Sequence, residues 1–102
     1  MFGTVARMKV QPGKEQEFIE HGERWSRERG SSSGQLTSYL VNLDGKPDEY
    51  LMVAIFRDRE SYLQNANDPE TDRFYQDMRK LLKADPEWND GEVTELPVPA
   101  GI

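Results

Sequence analysis

One short segment, residues 49–58, has apolar side chains on both faces of the strand that it predicts. Successive side chains of a β-strand point to opposite faces, so residues two apart share a face. One face carries Leu51, Val53 and Ile55, and the other carries Tyr50, Met52, Ala54 and Phe56. Neither set is suited to water, so this strand needs a cover on both sides.

The length of the chain limits what can provide those covers. A chain of 102 residues has enough helix to cover one face of a small sheet. Burying each large apolar side chain contributes roughly 1.5–3 kcal/mol, while a whole domain is stable by only about 5–15 kcal/mol. Exposing three or four of them would therefore remove most of the stability. We expect a second copy of the chain to cover the other face, which makes the protein a homodimer.

Composition and charge exclude several classes of function. Hydrophobic residues make up 35% of the chain and charged residues 31%, but clear periodicity favours a folded domain over disorder. The net charge of -6 and the pI near 4.8 disfavour nucleic acids and anionic membranes as partners. Because the chain has no cysteine, disulfides, thiolate nucleophiles and thiolate metal sites are excluded.

The sequence also carries no signal for export or for membrane insertion. The first ten residues lack a basic segment followed by a long apolar run. No stretch approaches the roughly 18 apolar residues of a membrane span. We therefore expect a cytoplasmic protein with no membrane partner.

The first half of the chain predicts a strand, a helix and a hairpin. Residues 2–10 alternate as a strand, and residues 14–29 have the apolar spacing of an amphipathic helix. Residues 35–43 form a second strand, joined to the doubly apolar strand by a turn at residues 44–48. If those five residues alone form the loop, Tyr39 lies opposite Val53 and Leu40 opposite Met52, whereas a bulge would reverse the faces.

The second half predicts two helices, a weak strand and a tail. Asp58 can cap a short helix that reaches residue 65 or 66, and Asp68 starts a second helix that Asp85 and Pro86 end. Residues 91–96 predict a weak last strand, and the prolines that follow it confine residues 97–102 to an edge or an extended tail. The tail carries apolar side chains, so we expect it to contact the partner subunit.

This order of elements predicts an α+β, ferredoxin-like split βαβ fold, with a four-stranded antiparallel sheet and its helices on one face. Here the chain resembles the antibiotic biosynthesis monooxygenase-like family of the dimeric α+β barrel superfamily. The resemblance lies in Gln11-Pro12-Gly13-Lys14 after the first strand, the Asp44-Gly45 hairpin, and residues 54–78. It spans nearly all of residues 2–96 and implies a single domain over residues 1–102.

The resemblance carries expectations about architecture and cofactors. In that family two sheets pack face to face across a dimer axis, and each subunit has a cavity between its sheet and its helices. Family members include cofactor-independent oxygenases of electron-rich aromatics and haem-degrading enzymes. The polar residues of the haem-degrading branch align with Ala6, Phe56 and Met78 here, so haem degradation is disfavoured and we expect no cofactor.

Four polar residues are candidates for catalysis. His21 suits a general base at neutral pH, with Tyr39 as a second choice. Arg7 and Asn42 are candidates for stabilising an enolate-like charge. Each has a simpler interpretation: His21 as a boundary residue of an amphipathic helix, and Arg7 as a surface ion-pair partner. A single histidine does not make a metal site.

Aromatic and thioether side chains are candidates for lining a substrate pocket, since aromatics stack on flat ligands and methionines adapt to irregular ones. The set is Phe18, Trp25, Met8, Met52, Phe56, Tyr62, Phe74 and Met78. The same residues could simply be the core. Gly22, inside an otherwise good helix, indicates that a sheet side chain or a ligand approaches closely there.

Two functions remain open from the sequence. The first is a homodimeric, cofactor-independent monooxygenase-like enzyme that acts on a small aromatic or polycyclic substrate. The alternative is a homodimer of the same fold without catalytic activity, which binds a small hydrophobic ligand or takes part in a stress response.

Overall fold

The computed structural model describes residues 1–30 and 32–100, and within them the chain forms one four-stranded sheet and three helices. The elements are β1 (Phe2–Lys9), α1 (Glu15–Glu28), β2 (Gln35–Asn42), β3 (Glu49–Phe56), α2 (Arg59–Ala66), α3 (Pro69–Arg79) and β4 (Glu87–Glu92). The strand order is β2-β3-β1-β4, and every neighbouring pair is antiparallel. This is the predicted α+β ferredoxin-like fold.

The starts of α2 and α3 follow from their capping residues. The Asp58 carboxylate accepts a hydrogen bond from the Ser61 amide at 2.7 Å, and the Asp68 carboxylate accepts one from the Glu70 amide at 2.8 Å. Each bond satisfies a backbone N–H group that has no partner within the helix. Pro69 follows Asp68 as the first residue of α3, where a missing N–H group costs nothing.

The even-numbered side chains of β1 and β3 face the helices and form the covered face of the sheet. The buried core cluster comprises Ala6, Met8, Val10, Phe18, Tyr50, Met78 and Leu82. Phe18 comes from α1 and Met78 from α3, so both long helices are anchored on the sheet through single apolar side chains. Their rings and thioethers pack over the end of the sheet near Lys9 and Glu49.

The odd-numbered side chains form the other surface, here called the open face, which no element within residues 1–30 and 32–100 covers. Val5 is 40% exposed, Val41 47% and Tyr39 61%. Leu51, Val53 and Ile55 lie between them and are half-buried by their neighbours in the sheet. The prediction that β3 is apolar on both faces is confirmed, and the part of the chain that the structure describes covers only one of them.

The hairpin register is also confirmed. Tyr39 pairs with Val53 and Leu40 with Met52. The one register shift of this pair lies between Gln35 and Thr37, at the far end of β2 from the hairpin. It therefore does not change which face of the sheet each side chain of residues 37–42 points to, and these faces are the ones that the five-residue loop predicts.

Two predicted boundaries were wrong. The last strand is Glu87–Glu92 instead of residues 91–96, and it pairs with β1 from Arg7 opposite Glu87 to Phe2 opposite Glu92. Its sequence resembles a turn, but backbone pairing to β1 at a sheet edge needs no apolar alternation. Helix α3 ends at Arg79, because Leu82 leaves the helix to form a bridge with Val10, where it is buried.

The tail after β4 forms neither helix nor strand up to residue 100. Leu96 is 84% exposed and Val98 is 89% exposed. Residues 101 and 102 lie outside the described residues, so the predicted contact of the 97–102 tail with a partner subunit stays a prediction.

Gly3 of β1 and Gly91 of β4 pair with each other, but only Gly3 lies against the backbone of β3, so the two glycines test how closely β1 and β3 pack. Gly3 pairs with Gly91, but a Cβ atom at Gly3 would lie 2.3 Å from the carbonyl oxygen of Ala54, whereas one at Gly91 would have no neighbour within 4 Å. We expect Gly3→Ala to destabilise the protein by about 1–3 kcal/mol through overpacking. Gly91→Ala is the matched control and should change the free energy of unfolding by less than about 0.5 kcal/mol. Urea unfolding measures both, and equal effects would contradict the packing.

Candidate functional site

A cavity of about 660 Å³ lies between the covered face of the sheet and the three helices. Its walls are mostly apolar and aromatic, with α1 supplying Phe18 and Trp25, and α3 supplying Phe74 and Met78. Its floor lies at the end of the sheet away from the anchoring side chains Phe18 and Met78. There the sheet carries small residues, among them Thr4, Ala54 and Ser38. A cavity of this size and lining is typical of a small-molecule site.

The aromatic wall is held in place by edge-to-face contacts. The rings of Trp25 and Phe74 are 5.3 Å apart at 83°, and those of Phe56 and Tyr62 are 5.3 Å apart at 83°. The Trp25 indole N–H also donates a hydrogen bond to Gln35 Oε1 at 2.9 Å. These contacts orient the rings before any ligand arrives, so they can present flat surfaces to a planar molecule.

His21 lies in the wall formed by α1. Its Nε2 atom is 2.9 Å from the Phe74 carbonyl oxygen. Because a carbonyl oxygen only accepts, Nε2 carries the proton of the neutral ring, and Nδ1 keeps a lone pair. Burial lowers the pKa of His21 below 6.5, and the nearby Arg24 charge acts in the same direction. The imidazole is therefore neutral at pH 7.

Gly22 also borders the cavity. Of the two predicted reasons for this glycine, the close approach of a sheet side chain was wrong, and the approach of a ligand stays a prediction. A Cβ atom built at Gly22 would have no neighbour within 4 Å outside the backbone of its own helix. The glycine therefore faces open space, and its absent side chain adds to the cavity.

The floor carries Tyr62, which the sequence predicted to line the pocket, and two polar residues that it did not indicate, Asp90 and Thr4. The Tyr62 hydroxyl donates a hydrogen bond to Asp90 Oδ1 at 2.8 Å. Burial, followed by the bond to Asp90, raises the pKa of Tyr62 to about 12, so its hydroxyl stays protonated. Thr4 Oγ1 is buried beside them, close enough to the Tyr62 hydroxyl to oppose part of this rise in pKa, and makes no well-aligned hydrogen bond within the described residues. Asp90 was missed because the predicted last strand began one residue after it.

Most of the predicted lining residues do surround this cavity. They are Phe18, His21, Trp25, Met52, Phe56, Tyr62, Phe74 and Met78. Met8 does not border it: this side chain is 1% exposed and lies within the core cluster. On a central strand at the anchored end of the sheet, Met8 is covered by core residues on every side.

Two of the four predicted catalytic residues, Arg7 and Asn42, lie away from the cavity, and a third, Tyr39, directs its side chain away from it. Arg7 is on the open face, where Nη2 is 2.6 Å from Glu49 Oε2, and this bond lowers the pKa of Glu49. Asn42 braces the hairpin by donating to the carbonyl oxygens of Glu49 and Lys46 at 2.9 and 3.1 Å. Tyr39 borders the cavity, but it pairs with Val53, so its side chain stands on the open face.

Two features that often support catalysis, a cationic side chain and a metal-binding group, are absent from the described part of this cavity. Among the residues that the structure describes, no lysine or arginine lines the cavity. Within residues 1–30 and 32–100, no group of three or more histidine, aspartate or glutamate side chains is placed to hold a metal ion. What the cavity does offer is aromatic surface, one neutral imidazole and the polar floor.

The fold and the cavity define a class: ferredoxin-like α+β proteins with a ligand-sized space between sheet and helices. Residues 1–77 match the antibiotic biosynthesis monooxygenase family. The chain belongs to this family, as its sequence had suggested. None of the curated proteins matches the sequence.

Solved structures with low sequence identity share the fold. SnoaB, a cofactor-independent oxygenase from Streptomyces nogalater, has a TM-score of 0.81 at 17% identity, with 97% of each chain covered. A conserved protein from Methanosarcina mazei Go1 has a TM-score of 0.80 at 19% identity, covering 91% of this chain and 92% of that one. A candidate antibiotic biosynthesis monooxygenase from Caulobacter crescentus CB15 has a TM-score of 0.81 at 18% identity, covering 92% and 90%.

The helices of the described residues are short and polar relative to what a bilayer requires, and none of them can cross a membrane.

Gly22 provides a test of whether the cavity is open above the sheet. Because a Cβ atom there meets nothing, Gly22→Ala should gain helix propensity without a clash and stabilise the protein by about 0.5–1 kcal/mol. Urea unfolding measures the change. Ala66→Gly, near the end of α2, is the control: it makes the reverse substitution in a helix and should destabilise the protein by a similar amount. A loss of stability in Gly22→Ala would mean that the space is filled.

Proposed function

We propose that the protein is a cofactor-independent monooxygenase-like enzyme that acts on a small aromatic or polycyclic substrate. The observation that carries this proposal is the aromatic-walled cavity of about 660 Å³ with a neutral, half-buried histidine in its wall. A flat apolar substrate would be desolvated against Trp25 and Phe74. Membership of the family and the fold shared with SnoaB, a cofactor-independent oxygenase, support the assignment.

In this proposal His21 is the general base. Since Nε2–H is committed to the Phe74 carbonyl, Nδ1 is the atom that would accept a proton from the substrate. Tyr62 is unsuited to this role, because a hydroxyl with a pKa of about 12 remains protonated at neutral pH. Tyr39 is unsuited because its side chain is 61% exposed on the open face.

The overall reaction balances without an external reductant. An activated ring CH₂ group loses a proton to the base, and the resulting carbanion, stabilised as an enolate, reduces dioxygen. One oxygen atom is incorporated as a ring carbonyl, and the other leaves as water with the two hydrogens of the CH₂ group. The protein would hold the substrate, remove the proton and exclude bulk water.

The alternative is a dimeric protein without catalytic activity that binds a small hydrophobic ligand. One observation favours it: no cationic side chain among the described residues lines the cavity, so an enolate would lack the charge partner that Arg7 was predicted to be. Ligand binding without oxygen consumption would identify this function.

In either case we propose that the protein works as a homodimer. Members of the family are generally dimeric. The open face presents Val5, Tyr39, Val41, Val53 and Ile55 together, and a contiguous apolar patch of this kind is typical of a protein–protein interface. Packing of two open faces would bury these side chains and place the two cavities on the outer sides of the sheets.

The first prediction of the proposed function concerns His21 as the base. With anthrone as substrate, His21→Ala should lower the rate of oxygen uptake roughly 10²–10⁴-fold, the usual contribution of general base catalysis. Because only the neutral imidazole accepts a proton and its pKa lies below 6.5, the wild-type rate should be constant between pH 7 and 8 and fall only below 6.5.

Gln16→Ala, on the exposed side of the same helix, is the control and should retain the wild-type rate. A rate that is unaffected in His21→Ala would remove this residue from the mechanism. No oxygen uptake by the wild-type protein, together with tight binding of anthrone, would support the alternative function.

The second prediction concerns the dimer. Val53 lies at the centre of the open face, between Val5 and Tyr39 on the neighbouring strands. A buried, unpaired carboxylate there is strongly unfavourable, so Val53→Asp should give a folded monomer at micromolar concentration in sedimentation experiments. Gln64→Asp, on the exposed surface of α2, should remain dimeric. A wild-type protein that sediments as a monomer would overturn the proposed dimer.

A further inference from the structure

One row of residues across the floor of the cavity carries polar side chains on three of the four strands. Thr4 pairs with Asp90 on one side and with Ala54 on the other, and Ala54 pairs with Ser38. These four residues form one row across all four strands and border the cavity. Since neighbouring strands are about 4.8 Å apart, the row from Asp90 to Ser38 spans roughly 14 Å.

The rows on either side of it are mainly apolar. On one side the sequence across the sheet is Trp88, Ala6, Met52 and Leu40, and on the other Phe2 and Phe56 occupy the central strands. Asp90 and Ser38 are exposed residues on the two edge strands, whereas Thr4 is a buried polar residue on a central strand. Its hydroxyl replaces packing contacts that an apolar side chain would make there.

Thr4 is the least explained member of this row. It is 4% exposed, and its hydroxyl lies close enough to the Tyr62 hydroxyl to act on the pKa of that tyrosine, but Oγ1 makes no well-aligned hydrogen bond within the described residues. A buried hydroxyl with a poorly aligned partner contributes less than a full hydrogen bond, and valine would fill the same volume. Thr4 borders the cavity, so its hydroxyl is also placed to contact a ligand.

Asp90 is prepared to accept a second hydrogen bond. The Tyr62 hydroxyl donates to Oδ1 at 2.8 Å, and within the described residues Oδ2 accepts no hydrogen bond. This bond restrains the carboxylate, which is exposed at the edge of the cavity beside Thr4. An ionised carboxylate only accepts, so it attracts a ligand O–H group and repels a ligand anion.

We propose that Asp90, held by Tyr62, binds a hydroxyl group on the edge of an aromatic ligand, so that the cavity selects hydroxylated aromatic ligands over the matching methyl ethers and carboxylates. Thr4 lies next to the same position and provides a second, neutral polar contact. This inference rests on the proposed function only in that an aromatic ligand enters the cavity. It assigns Asp90 a specificity-determining role that is independent of oxygen chemistry.

The test compares three anthracene ligands substituted at the same ring carbon: a hydroxyanthracene, its methyl ether and the corresponding anthracenecarboxylate. Dissociation constants are measured by fluorescence titration of the full-length protein at pH 7.5. We expect the wild-type protein to bind the hydroxyl compound about tenfold more tightly than the ether, the value of one hydrogen bond to a charged acceptor. The carboxylate should bind most weakly.

Asp90→Asn keeps the shape of the side chain and removes its charge. In this variant the preference for hydroxyl over ether should fall to about threefold or less, and affinity for the carboxylate should rise above its wild-type value. Glu92→Gln is the matched control, since Glu92 is an exposed acid on the same strand and does not border the cavity. It should leave all three affinities unchanged.

The outcomes separate this inference from the proposed function. Binding of all three ligands with equal affinity, or a preference that Asp90→Asn leaves intact, overturns the role of Asp90 while the aromatic cavity stands. A preference lost equally in Glu92→Gln reflects the general charge of the strand and also overturns it. Binding of none of the three ligands refutes an aromatic ligand in the cavity, and with it both proposals.

Discussion

Strand β3 is apolar on both faces, and the rest of the structure follows from which of the two faces the described residues cover. Its even-numbered side chains, from Tyr50 to Phe56, lie under the helices with those of β1. Its odd-numbered side chains stand on the open face, beside Val5 and Val41. Since burial of apolar area is the main favourable term in folding and association alike, the same strand directs both the chain's own core and its expected contact with a second copy.

The cavity results from the uneven way in which the helices cover the sheet. At one end, Phe18 and Met78 fill the space above Met8 and Tyr50. At the other end, the floor carries Thr4, Ala54 and Ser38, and α1 carries Gly22 above open space. Small side chains on both layers leave a volume that close packing would otherwise remove. Rings at the margin, held edge to face, keep that volume open.

The elements and the register of the fold could be predicted because they depend on local signals. Alternation indicated β1 and β3, Asp58 and Asp68 marked helix starts, and a five-residue turn set Tyr39 opposite Val53. The last strand could not be placed, because Glu87–Glu92 is stabilised by pairing with β1 and has no apolar pattern of its own. Likewise α3 ends early because Leu82 finds a partner in Val10, far away in sequence.

The aromatic part of the candidate site could be predicted from the sequence, and its polar part could not. Residues spaced along α1 and α3 for burial were identified as possible lining, and all of these helical residues, with His21, border the cavity. Arg7 and Asn42 were assigned by residue type alone, and the structure gives them an ion pair and a hairpin brace. Asp90 and Thr4 could not be identified from a pattern, since they become neighbours only when β4 pairs with β1.

By itself, the sequence determined the order of the elements, the register of the hairpin and the two apolar faces of β3, since each of these depends on residues close together in the chain. Only the tertiary structure decided which polar groups share a site, where the helices leave a cavity, and which face stays uncovered. Those properties depend on distances between residues far apart in the chain, and such distances exist only once the strands have paired and the helices have packed on them.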